Sequence, residues 1–107
     1  MTILMHAPRP AADDVSRALH PSVRGMELVA LAVHRDMAVR AAVASRVDAP
    51  MATLISLAHE RDTGVLEALL DNPSSPLFVV QKIALDAPRR ETRERAVTRL
   101  RTLALAS

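Results

Sequence analysis

The 107-residue chain contains no cysteine, no tryptophan and no tyrosine, a single phenylalanine (Phe78), two glycines and one lysine. Without cysteine it has no disulfide framework and no thiolate for metal binding or nucleophilic attack, and a reducing cytoplasm is the compartment that fits. With almost no aromatic side chains, any core must be built from Ala, Val, Leu, Ile and Met packed at short interhelical distances. Two glycines are too few for a turn-dense all-β fold. No stretch approaches the roughly 20 apolar residues that cross a bilayer. The opening Met1-Thr-Ile-Leu-Met-His6 also lacks the basic segment and apolar run of a signal peptide, so no membrane association is expected. No glycine-rich phosphate loop is present, and Ser16, Ser45, Ser56, Ser74 and Ser75 have no nucleophile-elbow context.

Half of the residues are apolar, enough for one domain with a modest core. Thirteen of the fourteen basic residues are Arg, which together with the abundance of Ala points to a G+C-rich bacterial genome. The formal net charge is only +2, but it is unevenly placed. Residues 54–88 hold two basic and five acidic side chains, and residues 89–107 hold six Arg against two Glu. A molecule acidic in its middle and basic at its C-terminal end is expected.

The stretch from Asp36 to Pro76 contains one pattern written twice with a period of 26. Asp, Val, Ala and Pro recur at 36/62, 39/65, 42/68 and 50/76, and Leu54, Leu57 and Ala58 return as Val80, Ile83 and Ala84. Leu28, Leu31, Ala32 and Arg35 precede Leu54, Leu57, Ala58 and Arg61 by the same interval. A fixed period of this size is the signature of a helical repeat array.

Residues 1–10 read as an irregular lead-in. A short helix is expected from Ala11 to Leu19, with Val15, Ala18 and Leu19 on one face and an Asp13–Arg17 pair, stopped by His20-Pro21. Ser22 is the expected cap of the next helix, which runs to about Val33 with Gly25 in its first turn. Asp36 and Asp62 are natural N-caps of the repeated helices. Asn72-Pro73 ends one helix, and Ser75 with Pro76 opens the next. The last helix, from Arg89 to about Leu105, carries a stripe of Ala96, Val97, Leu100, Leu103 and Ala104. Thr92 falls where Val39 and Val65 sit, and this helix is expected to cap the array.

The Asp36-Met-Ala-Val-Arg opening, the Asn72-Pro-Ser-Ser-Pro close and the Leu/Val spacing after each Pro resemble the variant leucine-rich repeat, a relative of HEAT repeats. The resemblance covers roughly residues 24–88. It implies an all-α fold, a short right-handed α-solenoid of about three repeats occupying residues 11–107, with a repeat core at about 24–88 and a capping helix at about 89–105. It supplies a scaffold and no common catalytic residue. Three departures stand out. Leu66 occupies the place of the Arg seen at Arg40, Arg46-Val-Asp-Ala-Pro50 replaces the Asn-Pro close, and Val15 aligns with Val39 only across a two-residue gap.

Asp36 and Arg40 read as structural, the Asp capping a helix and the Arg satisfying a carboxylate or carbonyl in the next layer. The four histidines, His6, His20, His34 and His59, form no metal-ligand spacing, so neither metal nor cofactor is expected. The one candidate binding set is Arg89, Arg90, Arg93, Arg95, Arg99 and Arg101, which could neutralise phosphates. Those side chains spread around the helix, however, and no aromatic stacking platform accompanies them. The sequence therefore points to a non-enzymatic, cytoplasmic module that binds a protein partner, with a homodimer through its ends also admitted. Nucleic-acid backbone binding by the Arg set is the alternative.

Overall fold

The computed structural model describes residues 11–106, and among these the chain is all-helical, with no strand. Seven helices follow one another: α1 (Ala11–Leu19), α2 (Met26–Leu31), α3 (Met37–Ala44), α4 (Met51–Leu57), α5 (Thr63–Asp71), α6 (Leu77–Asp86) and α7 (Arg90–Ala106). The lead-in at residues 1–10 lies outside the described residues.

The period of 26 is kept by the helix starts, at 37 and 63 for α3 and α5 and at 51 and 77 for α4 and α6. Alternate helices pack on one another, α1 on α3, α3 on α5, α5 on α7 and α4 on α6, but the most extensive pairing is between the consecutive helices α6 and α7. The odd-numbered helices thus form one row, and each even-numbered helix packs on its two chain neighbours. The core they enclose is aliphatic, with Leu28, Val39, Val43, Leu54, Val65, Leu66, Leu69, Val79, Val80 and Ile83 almost completely buried. Each such side chain contributes about 1.5–3 kcal/mol by leaving water.

Local signals explain most boundaries. The carboxylate of Asp36 accepts the Ala38 N–H at 2.8 Å, and that of Asp62 accepts the Val65 N–H at 3.0 Å, each satisfying a donor the helix start leaves free. Two expected caps are not made. Ser22 does not cap α2: its N–H and hydroxyl turn to His20 Nδ1, at 3.1 and 2.7 Å, and α2 begins three residues later than that cap would allow. Gly25 is therefore not inside the first turn but stands at the N-cap with φ 57°, a left-handed conformation that glycine adopts without a Cβ penalty. Ser75 does not cap α6 either. Its hydroxyl donates back to Leu69 O at 2.6 Å, closing the end of α5, and Pro76 takes the N-cap of α6.

On α1, Arg17 pairs with Asp14 at 3.3 Å, and the expected Asp13–Arg17 pair is not formed. Ala18 is fully buried, while Leu19, expected on the same inner face, is half exposed. Met26, which opens α2, stands out in solvent, and so does Val33, because the helix ends at Leu31 and does not reach Val33 as expected.

One polar device joins successive odd-numbered helices. Arg46, just past α3, donates to Ala18 O, His20 O and Val23 O at 2.8, 2.9 and 2.9 Å, and to both carboxylate oxygens of Asp48 at 2.8 Å. Its five N–H donors are all used, although the residue is buried. Asn72, just past α5, donates to Ala44 O and Arg46 O, each at 2.9 Å. Arg99 on α7 donates to Leu70 O and Asn72 O. The acceptors fall at 18/20, 44/46 and 70/72, so the same closure recurs every 26 residues, whether made by Arg or by Asn. The Arg46 guanidinium also holds the Asp48 carboxyl below its ordinary pKa of 3.8 by hydrogen bonding and charge.

Candidate functional site

The six arginines singled out from the sequence lie on or beside α7, and the structure gives five of them partners within the chain. Arg93 Nη1 donates to Ala87 O at 2.6 Å and Pro88 O at 3.2 Å. Arg99 holds the end of α5, as above. Arg95 bridges Glu67 and Asp71 of α5, at 3.2 and 2.7 Å. Arg89 and Arg90 reach Glu91 and Glu94, at 3.7 and 3.9 Å on the exposed surface, where such pairs are weak. Arg101 alone makes no ion pair or hydrogen bond from its side chain among the described residues. The set does not converge on one surface. The groove of about 610 Å³ between α5 and α7 holds Arg95 and Arg99, but it also holds Asp71, Glu91 and Glu94, so its wall is of mixed charge.

Arg93 clarifies what α7 is. Its contacts run to the carbonyls six and five residues before it, and Arg40 makes the same contacts, Nη1 donating to His34 O at 2.7 Å and Arg35 O at 3.0 Å. The helix occupies a repeat position, one residue out of step with the period of 26.

A second set of residues occupies this repeat position and was only half visible in the sequence. Arg40 Nε also donates to Glu60 Oε1 at 3.1 Å, twenty residues ahead, as the structural reading of Arg40 anticipates. One period earlier the equivalent pair is Asp14 and His34, whose Nε2 lies 3.0 Å from Asp14 Oδ2. Because His34 Nδ1 accepts the Asp36 N–H at 2.9 Å, Nε2 carries the imidazole proton and donates it to Asp14. Asp14 thus aligns with Arg40 at a full 26 residues, with no gap. One period later the positions are Leu66 and Asp86. Leu66 offers no donor, and Asp86 turns instead to Lys82, with Nζ to Oδ2 at 3.0 Å. Beside Leu66 lies a cleft of about 270 Å³ whose lining includes His59, Glu60, Arg61, Lys82 and Asp86. The signal available beforehand was the Leu66 departure itself. That it leaves acceptors unanswered depends on the packing of α4 and α6.

No protein-family model, characterised protein or solved structure gives a significant match to this chain.

Elsewhere the polar groups serve the backbone. Among the described residues no three His, Asp or Glu side chains converge on a point that would hold a metal ion. His20 and His34 are held by their neighbours, and His6 lies outside the described residues. No described helix is long and apolar enough to cross a membrane.

Several apolar side chains are also exposed. Met26 opens α2, Met51 opens α4, and Leu77 and Phe78 open α6; all four side chains are more than half exposed. Met51 and Leu77 stand one period apart, as do Ala52 and Phe78, so exposure at the first turn of the even-numbered helices is a property of the repeat.

Proposed function

We propose that this chain is a non-catalytic helical-repeat module, a short right-handed α-solenoid of the variant leucine-rich (HEAT-like) kind closed by α7, and that it binds a protein partner. The observation that carries this reading is the row of exposed apolar side chains at the first turns of α2, α4 and α6: Met26, Met51, Leu77 and Phe78. Apolar side chains exposed at the same place in successive even-numbered helices gain by leaving water when a partner covers them. Flexible methionines and the chain's single aromatic residue are the side chains that supply adaptable contact area. The nucleic-acid reading would need the arginines free to face phosphates, and Arg93, Arg95 and Arg99 would first have to leave carbonyl or carboxylate partners. A cytoplasmic setting belongs to the same proposal.

The test is site-specific photocrosslinking from positions 51 and 78, with position 101 as the control, followed by capture with the Met51→Glu/Phe78→Glu variant. One protein crosslinked from 51 and 78 but not from 101, and lost by the variant at unchanged melting temperature, is the expected result. A crosslink between two copies of the chain would identify the partner as itself. A fluorescence-anisotropy titration of duplex DNA provides the contrary outcome. Tight binding with a steep salt slope, removed by Arg95/Arg99/Arg101→Ala, would replace protein binding with phosphate binding.

A further inference from the structure

We infer that the cleft beside Leu66 is a receptor for a guanidinium group presented from outside the chain. The argument begins with what the same position holds in the neighbouring repeats. Around Arg40, one guanidinium satisfies two backbone carbonyls, His34 O and Arg35 O, and one carboxylate, Glu60. Around Arg93, a guanidinium satisfies the corresponding carbonyls of Ala87 and Pro88. Between them, Leu66 stands at the arginine position, and the acceptors are still present. Glu60 O and Arg61 O are the carbonyls six and five residues before it, and Asp86 is the carboxylate twenty residues after it.

No hydrogen bond among the described residues reaches Glu60 O or Arg61 O. Space remains as well: the cleft of about 270 Å³ is lined by Glu60, Arg61, Leu66, Lys82, Asp86 and Ala87 among others. Two carbonyls and a carboxylate are the acceptor set that the Arg40 guanidinium satisfies one period earlier, its fork serving both sides at once. An ammonium serves them less well. Lys82 already reaches into the cleft, and its Nζ makes one hydrogen bond, to Asp86, and none to the carbonyls. Lys82 is therefore the internal competitor for Asp86, and an arriving guanidinium would share that carboxylate or displace the lysine. The surrounding charge has the right sign, since residues 54–88 carry five acidic side chains against two basic ones.

The guanidinium site stands on the cleft alone. Only its source, an arginine side chain of a protein partner as against a free guanidinium compound, rests on the protein-binding proposal.

The experiment is an NMR titration of the ¹⁵N-labelled full chain with methylguanidinium, with the blocked tripeptide Gly-Arg-Gly and with its Gly-Lys-Gly counterpart. Saturable shifts are expected at the amides of residues 60–66 and 82–87, mutually exclusive for methylguanidinium and the arginine peptide. The lysine peptide should bind about tenfold more weakly. Leu66→Arg supplies the missing side chain in cis and should abolish both responses. Asp86→Asn changes an exposed side chain, and Lys82→Met keeps the partly buried stem of the lysine while removing its charge. The first should weaken binding about tenfold, and the second should tighten it severalfold by freeing Asp86. Methylguanidinium binding without arginine-peptide binding supports the cleft and removes a partner's arginine as its source. The inference is overturned if neither the wild type nor Lys82→Met gives a saturable response. It is equally overturned if the response is indifferent to Asp86→Asn.

Discussion

Thr92 is buried to 1% exposure, and its hydroxyl is the one buried side-chain polar atom without a hydrogen-bond partner among the described residues. Its position in the repeat explains the arrangement. Thr92 fills the place that Val39 and Val65 fill on α3 and α5, where the packing selects a β-branched side chain and provides no acceptor. Threonine matches valine in shape but brings a hydroxyl whose desolvation nothing offsets. Thr92→Val is expected to stabilise the chain by about 1 kcal/mol, measured as a higher urea midpoint at unchanged m-value. A loss of stability would mean that the hydroxyl is satisfied after all. Arg46 is the opposite case, a buried charge with every donor used. Its role could not be taken from the sequence, because the three carbonyls it serves belong to residues 18, 20 and 23 and come near only when α1 lies against α3.

At the level of the helix, legibility followed the range of the interactions. Asp36 and Asp62 cap α3 and α5 through bonds spanning two and three residues, and these caps were readable because everything they need is local. Ser22 and Ser75 carry the same kind of side chain just ahead of a helix, yet each had a competing acceptor behind it: the ring of His20 for one, and the end of α5 for the other. On α1 the expected inner face holds at Ala18 and Val15 and departs only at Leu19, for a related reason. Asp14 is drawn inward by Arg17 and His34, and Leu19 is left half exposed. Capping strength gives a test at this scale. Asp36→Ala should cost about 1 kcal/mol in a urea melt, and Asp36→Asn, which keeps an acceptor, only a few tenths. If both substitutions cost the same, the carboxylate is acting through its charge and the capping account of α3 fails.

Across the whole molecule, the uneven charge readable in the sequence does not form two separate poles. Arg95 on α7 lies against Glu67 and Asp71 on α5, so part of the basic segment neutralises part of the acidic one. What runs from α1 to α7 is the closure made by Arg46, Asn72 and Arg99, each fastening its own helix to the end of the preceding odd-numbered one. These closures are linked in sequence: Arg46 O accepts from Asn72, and Asn72 O accepts from Arg99. The side chains of Arg46 and Arg99, by contrast, bond to no residue in common. If stability is transmitted only between neighbouring layers, the consequences of breaking a closure should depend on which other one is broken. Arg46→Ala removes a fully bonded buried guanidinium and should cost about 3 kcal/mol, while also loosening the turn that offers Arg46 O to Asn72. Double-mutant cycles in urea should therefore give an interaction energy above about 0.5 kcal/mol for Arg46→Ala with Asn72→Ala. Arg46→Ala with Arg99→Ala should be additive within about 0.5 kcal/mol. Additivity for the adjacent pair, or strong coupling for the distant one, would mean that the seven helices respond as a single undivided core.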